Sequence, residues 1–197
     1  MGPAMGVRRR HFLASLALPI TAAFVPVTAV EGVIGLDGTP VDPLAVPQGI
    51  RARVLVFTTT DCPISNRYAP ELTRLSTHYV PKGVQFWVVY PVASDTPAVI
   101  RTHVGRFGLQ LPVARDTRGA LVKHTGVTVT PEVAVVSASG QVVYRGRIDD
   151  RYTDFGIDRP APRSRDLNQA LTQLLAGQPV VPASTRAVGC FLPDLLK

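Results

Sequence analysis

Two cysteines, Cys62 and Cys190, are the only thiols among 197 residues. Cys62 stands where an apolar run, Val54-Leu55-Val56-Phe57, gives way to a helix-like stretch opening Cys62-Pro63-Ile64-Ser65-Asn66. A thiol at a helix N-terminus faces unpaired backbone N–H groups and the positive end of the helix dipole. Both favour the thiolate, the nucleophilic form. Free cysteine is also among the most buried residue types and can behave as an inert small hydrophobe. The position therefore admits a reactive thiol or a packed one, and the pair admits a structural disulfide, two free thiols or a catalytic couple.

The elements that would hold these residues follow from periodicity. Val33 to Val41 reads as a short hairpin turning at Asp37-Gly38. A strand spans Val54 to Thr58, and Ile64, Tyr68, Leu72, Leu75 and Tyr79 recur at spacings of three and four, which places them on one helical face. Pro63 suits the first turn of that helix, whereas Pro70 falls inside the pattern and predicts a kink. Val84 to Tyr90 is a buried strand, and Val99, Ile100, Val104 and Phe107 put a helix over Pro97 to Phe107. A short helix from Gly119 to His124, a strand from Val133 to Ser137, a turn at Ser139-Gly140 and a strand from Gln141 to Arg147 follow. The last helix is Arg165 to Ala176, stopped by Gly177; the remainder is a proline-punctuated tail carrying Cys190.

Composition bounds the function. With 46% hydrophobic and 18% charged residues, the chain holds one globular domain with a sizeable core. Of the formal charge of +7, three come from Arg8, Arg9 and Arg10. The remaining Lys and Arg are scattered, without a basic run interleaved with aromatics, so nucleic acid is not an expected partner. Those arginines precede an apolar stretch, Phe12 to Ala23, ending among small residues, the pattern of an export signal with cleavage after Ala23 or Ala29. Residues 1–29 are thus read as the signal, which at Arg9-Arg10-His11-Phe12-Leu13 resembles the twin-arginine motif but has Arg8 in place of its usual serine or threonine and so leaves the export route open, residues 30–177 as the domain and 178–197 as the tail. The protein is expected outside the cytoplasm, touching a membrane only if the signal stays uncleaved.

Val54-Leu55-Val56-Phe57, Cys62-Pro63-Ile64-Ser65 and Pro70-Glu71-Leu72 together resemble the thioredoxin-like superfamily, especially its extracytoplasmic redoxin branch, over roughly residues 33 to 176. The resemblance implies an α/β fold with a central mixed sheet flanked by helices and thiol–disulfide exchange through Cys62. It also implies that Pro131 of Thr130-Pro131 is a cis-proline beside the active cysteine, so that Pro63, Thr130 and Pro131 frame the substrate. Ser65 occupies the place of the family's second cysteine, which leaves Cys190 as the only resolving thiol within the chain, with Ser65 donating to the thiolate. The partner would be a thiol or disulfide of another protein, or a peroxide. Neither a cofactor nor a metal is called for.

Other readings stay open beside this one. Thr59-Thr60-Asp61-Cys62 satisfies part of a peroxiredoxin signature, although Leu55 stands in place of its upstream proline. A non-catalytic binding module, or a copper-binding assembly factor drawing on His78, His103 or His124, would keep the same fold. Arg147-Ile148-Asp149-Asp150-Arg151-Tyr152 reads as a solvated or salt-bridged loop, and Glu71 as a solvent-facing carboxylate or a proton relay.

Overall fold

The computed structural model describes residues 1–2 and 30–192. The expected export signal falls, from residue 3 onward, outside the described residues.

The central strand is β2 (Ala52–Phe57), six residues all buried. It is covered on both faces, so it reads as a continuous apolar run and not as an alternating one. Successive side chains of a strand point to opposite faces. Val54 and Val56 accordingly enter one core cluster, and Leu55 and Phe57 enter the other. Parallel neighbours need crossovers. The first is a broken helix, α1 (Pro63–Arg67) and α2 (Ala69–Tyr79), leading to β3 (Val84–Tyr90). The second is α3 (Pro97–Phe107), leading to β4 (Val113–Asp116). With β1 (Val33–Ile34), β6 (Glu132–Ser137) and β7 (Val142–Gly146), these strands form a six-stranded sheet in the order β1-β4-β3-β2-β6-β7. Pairing is parallel among β2, β3 and β4 and antiparallel elsewhere, the mixed sheet expected.

Helix α2 lays Leu72, Leu75 and Tyr79 against the sheet face that carries Val54 and Phe86. α5 (Asp166–Leu175) adds Leu167 and Leu171 to the same layer. Burying a leucine side chain stabilises by about 1.5–3 kcal/mol, so this layer fixes where the start of α1 sits. On the opposite face, α4 (Ala120–Thr125) contributes Leu121 and Val122.

The structure departs from the sequence expectations in instructive places. The kink assigned to Pro70 is a break at Tyr68, with φ −83° and ψ −7°. Pro70 thus falls in the first turn of α2, where its missing N–H removes no helical bond. The leading hairpin keeps its Asp37-Gly38 turn, with Asp37 accepting from the Thr39 N–H at 3.0 Å. Its return arm, however, supplies only an Ile34–Pro40 bridge, while β1 pairs with β4. A two-stranded hairpin alone is marginal, and the sheet edge offers the better partner.

The loop from Arg147 to Tyr152 is salt-bridged and not solvated. Asp149 and Asp150 are both buried. Asp149 accepts from Tyr68 Oη at 2.6 Å, whereas Asp150 accepts from the Arg163 and Ser164 N–H groups at 2.6 and 2.9 Å. The neighbouring carboxylates face different partners and form no acid–base dyad.

The segment after Gly177 packs back onto the domain. Arg145 N–H donates to Ala183 O at 3.0 Å, and Thr185 N–H donates to Arg145 O at 3.0 Å. The tail then forms β10 (Cys190–Phe191), antiparallel to β5 (Val129–Thr130), with Cys190 opposite Thr130. Leu192 closes the segment in the second core cluster. A last hairpin, β8 (Tyr152–Asp154) with β9 (Ile157–Asp158), stands outside the main sheet. Among the described residues no helix is long and apolar enough to cross a membrane.

Candidate thiol site

The chain leaves β2 through Thr58, Thr59, Thr60 and Asp61 and enters α1 at Cys62, which takes the N-cap position with extended dihedrals (φ −78°, ψ 109°). Pro63 follows in the first turn, and the Asn66 N–H donates to Cys62 O at 3.1 Å. These bonds and the core seat of Ile64 fix the cysteine at the C-terminal end of the central strand. Pro63 itself is exposed. It lines a cleft of about 230 Å3 with Ile64, Arg67, Tyr152 and Phe155.

The Cys62 side chain is fully buried. Its thiol donates to Thr130 O at 3.1 Å, and the Cys190 thiol donates to Cys62 Sγ across 2.7 Å. Both cysteines are free thiols. That separation is longer than a disulfide bond of about 2.05 Å, yet it demands no backbone rearrangement to close. The Thr130-Pro131 peptide is cis. Five of the residues singled out from the sequence, Cys62, Ser65, Thr130, Pro131 and Cys190, therefore converge on one point.

The electrostatics divide the two sulfurs. Burial pushes the Cys62 thiol up, but hydrogen bonds from the Cys190 thiol and from the Ser65 hydroxyl and N–H outweigh it, leaving Cys62 below the usual thiol range. The Ser65 hydroxyl is buried and makes no hydrogen bond of regular geometry, so it is free to turn to the Cys62 sulfur. A donor with nowhere else to go is well suited to an anion. Cys190 moves the other way: burial, then its bond to Cys62 and the charges on Cys62 and Asp61, push it up to about 12. Of the two thiols, Cys62 therefore gives up its proton the more readily and Cys190 holds its own the more tightly. The source of this bias is hydrogen bonding more than a long helix, since α1 has five residues.

A second set of residues, of which the sequence singles out only His103 and that for a different role, braces the loop before Cys62. Tyr90 Oη lies 2.8 Å from His103 Nδ1, His103 Nε2 lies 2.6 Å from Asn66 Oδ1, and Asn66 Nδ2 donates to Thr60 O at 3.4 Å. Every role is consistent if neutral His103 carries its proton on Nε2 and accepts from Tyr90. Burial holds His103 below the ordinary histidine range, which favours that neutral form. Thr60 Oγ1 in turn donates to Asp95 Oδ1 at 2.5 Å. On the other side of the cysteine, Glu132 Oε2 accepts from the Thr128 and Val129 N–H groups at 2.8 and 3.3 Å and so shapes the strand that faces Cys190.

The remaining candidates lie elsewhere. His103 belongs to the bracing network, and His78 and His124 are exposed. Among the described residues no three His, Cys, Asp or Glu side chains gather as metal ligands. Glu71 is gripped by Arg74, at 2.6 and 2.7 Å, and by Arg165 at 3.2 Å. Burial raises that carboxyl, but the two guanidinium groups more than offset it and keep it below the usual range. A carboxylate so committed is an ion-pair residue and not a proton relay.

Comparison with known proteins agrees with this architecture. A Geobacillus kaustophilus structure described as an uncharacterized conserved protein shares 25% identity and superposes with a TM-score of 0.68, covering 82% of this chain and 86% of that one. A secreted Mycobacterium tuberculosis disulfide oxidoreductase homologous to E. coli DsbE shares 23% identity with a TM-score of 0.50, over 73% and 92% of the two chains. A thiol:disulfide interchange protein of the thioredoxin family from Chlorobium tepidum shares 19% with a TM-score of 0.52, over 72% and 90%. The last two establish a common thioredoxin-like fold. A Gloeobacter violaceus protein named as a phosphoribosyl imidazole-carboxamide isomerase is 28% identical over 123 residues, 62% of this chain. The chain spans about half the length, 47%, of that curated relative. The Redoxin family matches residues 25–158, more than half of the sequence, and this chain is a member of it.

Proposed function

We propose that this chain is an exported thiol–disulfide oxidoreductase in which Cys62 is the nucleophile and Cys190 the resolving thiol. The observation that carries the reading is the 2.7 Å approach of two sulfurs that lie 128 positions apart in the sequence. In the reducing direction, the Cys62 thiolate attacks one sulfur of a substrate disulfide. A mixed disulfide forms, and the departing thiolate takes up a proton. Cys190 then gives up its proton and attacks the Cys62 sulfur, closing a Cys62–Cys190 disulfide and releasing the second substrate thiol. The protein loses two electrons and the substrate gains them; oxidation of a dithiol runs the same steps backwards.

Ser65 stabilises the thiolate, and Pro63, Thr130 and Pro131 frame the groove in which the attacked sulfur is presented. The partner is a protein thiol or disulfide, and the exposed Phe155 and Phe191 form an apolar rim suited to a polypeptide. Export rests on the arginine-led apolar segment at the N-terminus, which divides the chain into signal, domain and tail as read from the sequence. A peroxide is the other oxidant the pair could consume, through a Cys62 sulfenic acid that Cys190 would condense with, releasing water. Insulin-disulfide reduction and thiol-dependent peroxide consumption, each assayed with wild type, Cys62→Ser and Cys190→Ser, test the reading. Disulfide turnover lost in Cys62→Ser and stalled after one mixed disulfide in Cys190→Ser is the expected outcome; undiminished turnover in Cys62→Ser would overturn it.

A further inference from the structure

The tail reaches the thiol site through two places where a missing side chain lets backbone meet backbone. At the first, Thr185 crosses Gly146, which has φ +149° and whose added Cβ would stand 2.8 Å from Thr185 N and closer still to Thr185 O. Thr185 Oγ1 fastens this crossing, 2.7 Å from Tyr144 Oη and accepting from the Arg147 N–H at 3.1 Å. At the second, Gly189 lies flat on the Thr130-Pro131 peptide. A Cβ there would stand 2.5 Å from Thr130 C and 3.1 Å from Pro131 N, with Thr130 O nearer than either. Gly189 is not among the glycines with positive φ, so its need is for room alone.

That close approach sets the register of everything after it. Cys190 falls opposite Thr130, Phe191 falls opposite Val129, and the Leu192 N–H donates to Thr128 O at 3.1 Å. Thr130 is also the residue whose carbonyl accepts from Cys62. One backbone carbonyl thus has the nucleophile bonded to it and Gly189 pressed against it.

We propose that Gly189 is the positioning residue for the resolving thiol: its missing Cβ lets β10 lie against Thr130, and this docking both holds Cys190 on Cys62 and covers Cys62 from solvent. The inference rests on the assignment of Cys190 as resolving thiol above. Ordinary van der Waals contact begins at 3.4 Å. Relieving the overlap with Thr130 C alone therefore moves the strand by about 1 Å, and the obstacles are backbone atoms that cannot turn aside. A misplacement of about 1 Å costs about 100-fold in a step that needs in-line approach of two atoms. The step affected is attack of the Cys190 thiolate on the Cys62 sulfur of a mixed disulfide, which breaks the bond to the outer thiol and expels it to take up the proton Cys190 gave up. The earlier attack by Cys62 does not use Cys190 as a nucleophile. Loosened docking uncovers Cys62 but also withdraws the Cys190 donor that favours its thiolate, so that earlier step changes far less than resolution does.

The test is stopped-flow release of thionitrobenzoate from 5,5′-dithiobis(2-nitrobenzoate) by the full reduced chain. The first equivalent reports attack by Cys62 and the second reports resolution by Cys190. Wild type is expected to release both in quick succession, and Cys190→Ser only the first. Gly189→Ala is expected to release the first at close to the rate of Cys190→Ser, which lacks the same thiol donor, and the second about 100-fold more slowly than wild type. A second phase at the wild-type rate in Gly189→Ala overturns the positioning role while leaving the Cys190 assignment intact. Wild type recovered as a stable double thionitrobenzoate adduct, with no Cys62–Cys190 disulfide by mass, would overturn the assignment and the inference with it. Circular dichroism and a urea midpoint check that Gly189→Ala is folded. If it is not, Thr185→Val, which loosens the same tail without adding an atom at Gly189, carries the test: a slowed second phase supports control by tail docking, and an unchanged one refutes it.

Discussion

Closing the Cys62–Cys190 disulfide should change the stability of the whole domain, and its size follows from where the two residues lie in the chain. The bond would close a loop of 128 positions. In the chain-entropy treatment a loop of that length removes about 5 kcal/mol of freedom from the unfolded state. Because the sulfurs already meet in the thiol form, the native state needs little adjustment to accept the bond. A folded chain of this size shifts its melting midpoint by about 2–4 °C per kcal/mol, so oxidation should raise Tm by about 10–20 °C. The same free energy resists reduction of the folded protein. The assay is urea and thermal unfolding of one preparation oxidised with diamide or reduced with a phosphine, with Cys190→Ser in parallel. A smaller m-value should accompany the higher midpoint of the oxidised form, since a cross-linked unfolded chain exposes less surface. Equal midpoints for the oxidised and reduced wild type, or a shift that persists in Cys190→Ser, would refute the reasoning.

Two further outcomes follow from the residues that support the site. His103 is held below its ordinary value of 6.5, chiefly by burial. A depressed folded-state pKa gives stability that is present above the unfolded value and lost as pH falls through the folded one. The wild type should therefore lose urea resistance on acidification below about pH 6.5, and His103→Gln should show a shallower loss over that window; parallel pH profiles of the two midpoints would contradict the assignment. Tyr68→Phe removes the 2.6 Å bond to buried Asp149. The Arg151 N–H, at 3.0 Å, stays with the carboxylate, so the cost is that of one hydrogen bond to a charged group, about 1.5–3 kcal/mol, read as a lowered denaturation midpoint; a midpoint within experimental scatter of wild type would show that the bond contributes nothing.

What the sequence disclosed and what it withheld divide along a physical line. Cys62 was legible because a buried strand and an amphipathic helix meet there, and each announces itself by periodicity. The cis geometry of Pro131 came from family resemblance alone, since nothing local to Thr130-Pro131 distinguishes it from another X-Pro pair. Strands β4, β5 and β10 are two to four residues long, too short to show a period, and they exist because partners elsewhere in the chain bring them into register. The Tyr90–His103–Asn66–Thr60 network joins residues of β3, α3, α1 and the loop before α1, a proximity that only the crossover topology creates. Likewise the tail gives no pattern beyond prolines. Its one readable sign is the dipeptide Gly189-Cys190, where the smallest residue precedes the only other thiol, and the contact with Thr130 explains that placement.

Which sulfur reacts first and which closes the bond are both measured by mass spectrometry of rapidly quenched protein. Reduced full-length chain is mixed with a small mixed-disulfide probe, quenched with acid and digested. For Cys190→Ser the expected product is a single adduct on the Cys62 peptide, and for wild type a transient Cys62 adduct that converts to a Cys62–Cys190 cross-linked peptide. A first adduct on Cys190, or a stable Cys62 adduct in wild type with no cross-link, would contradict the assignment of nucleophile and resolving thiol.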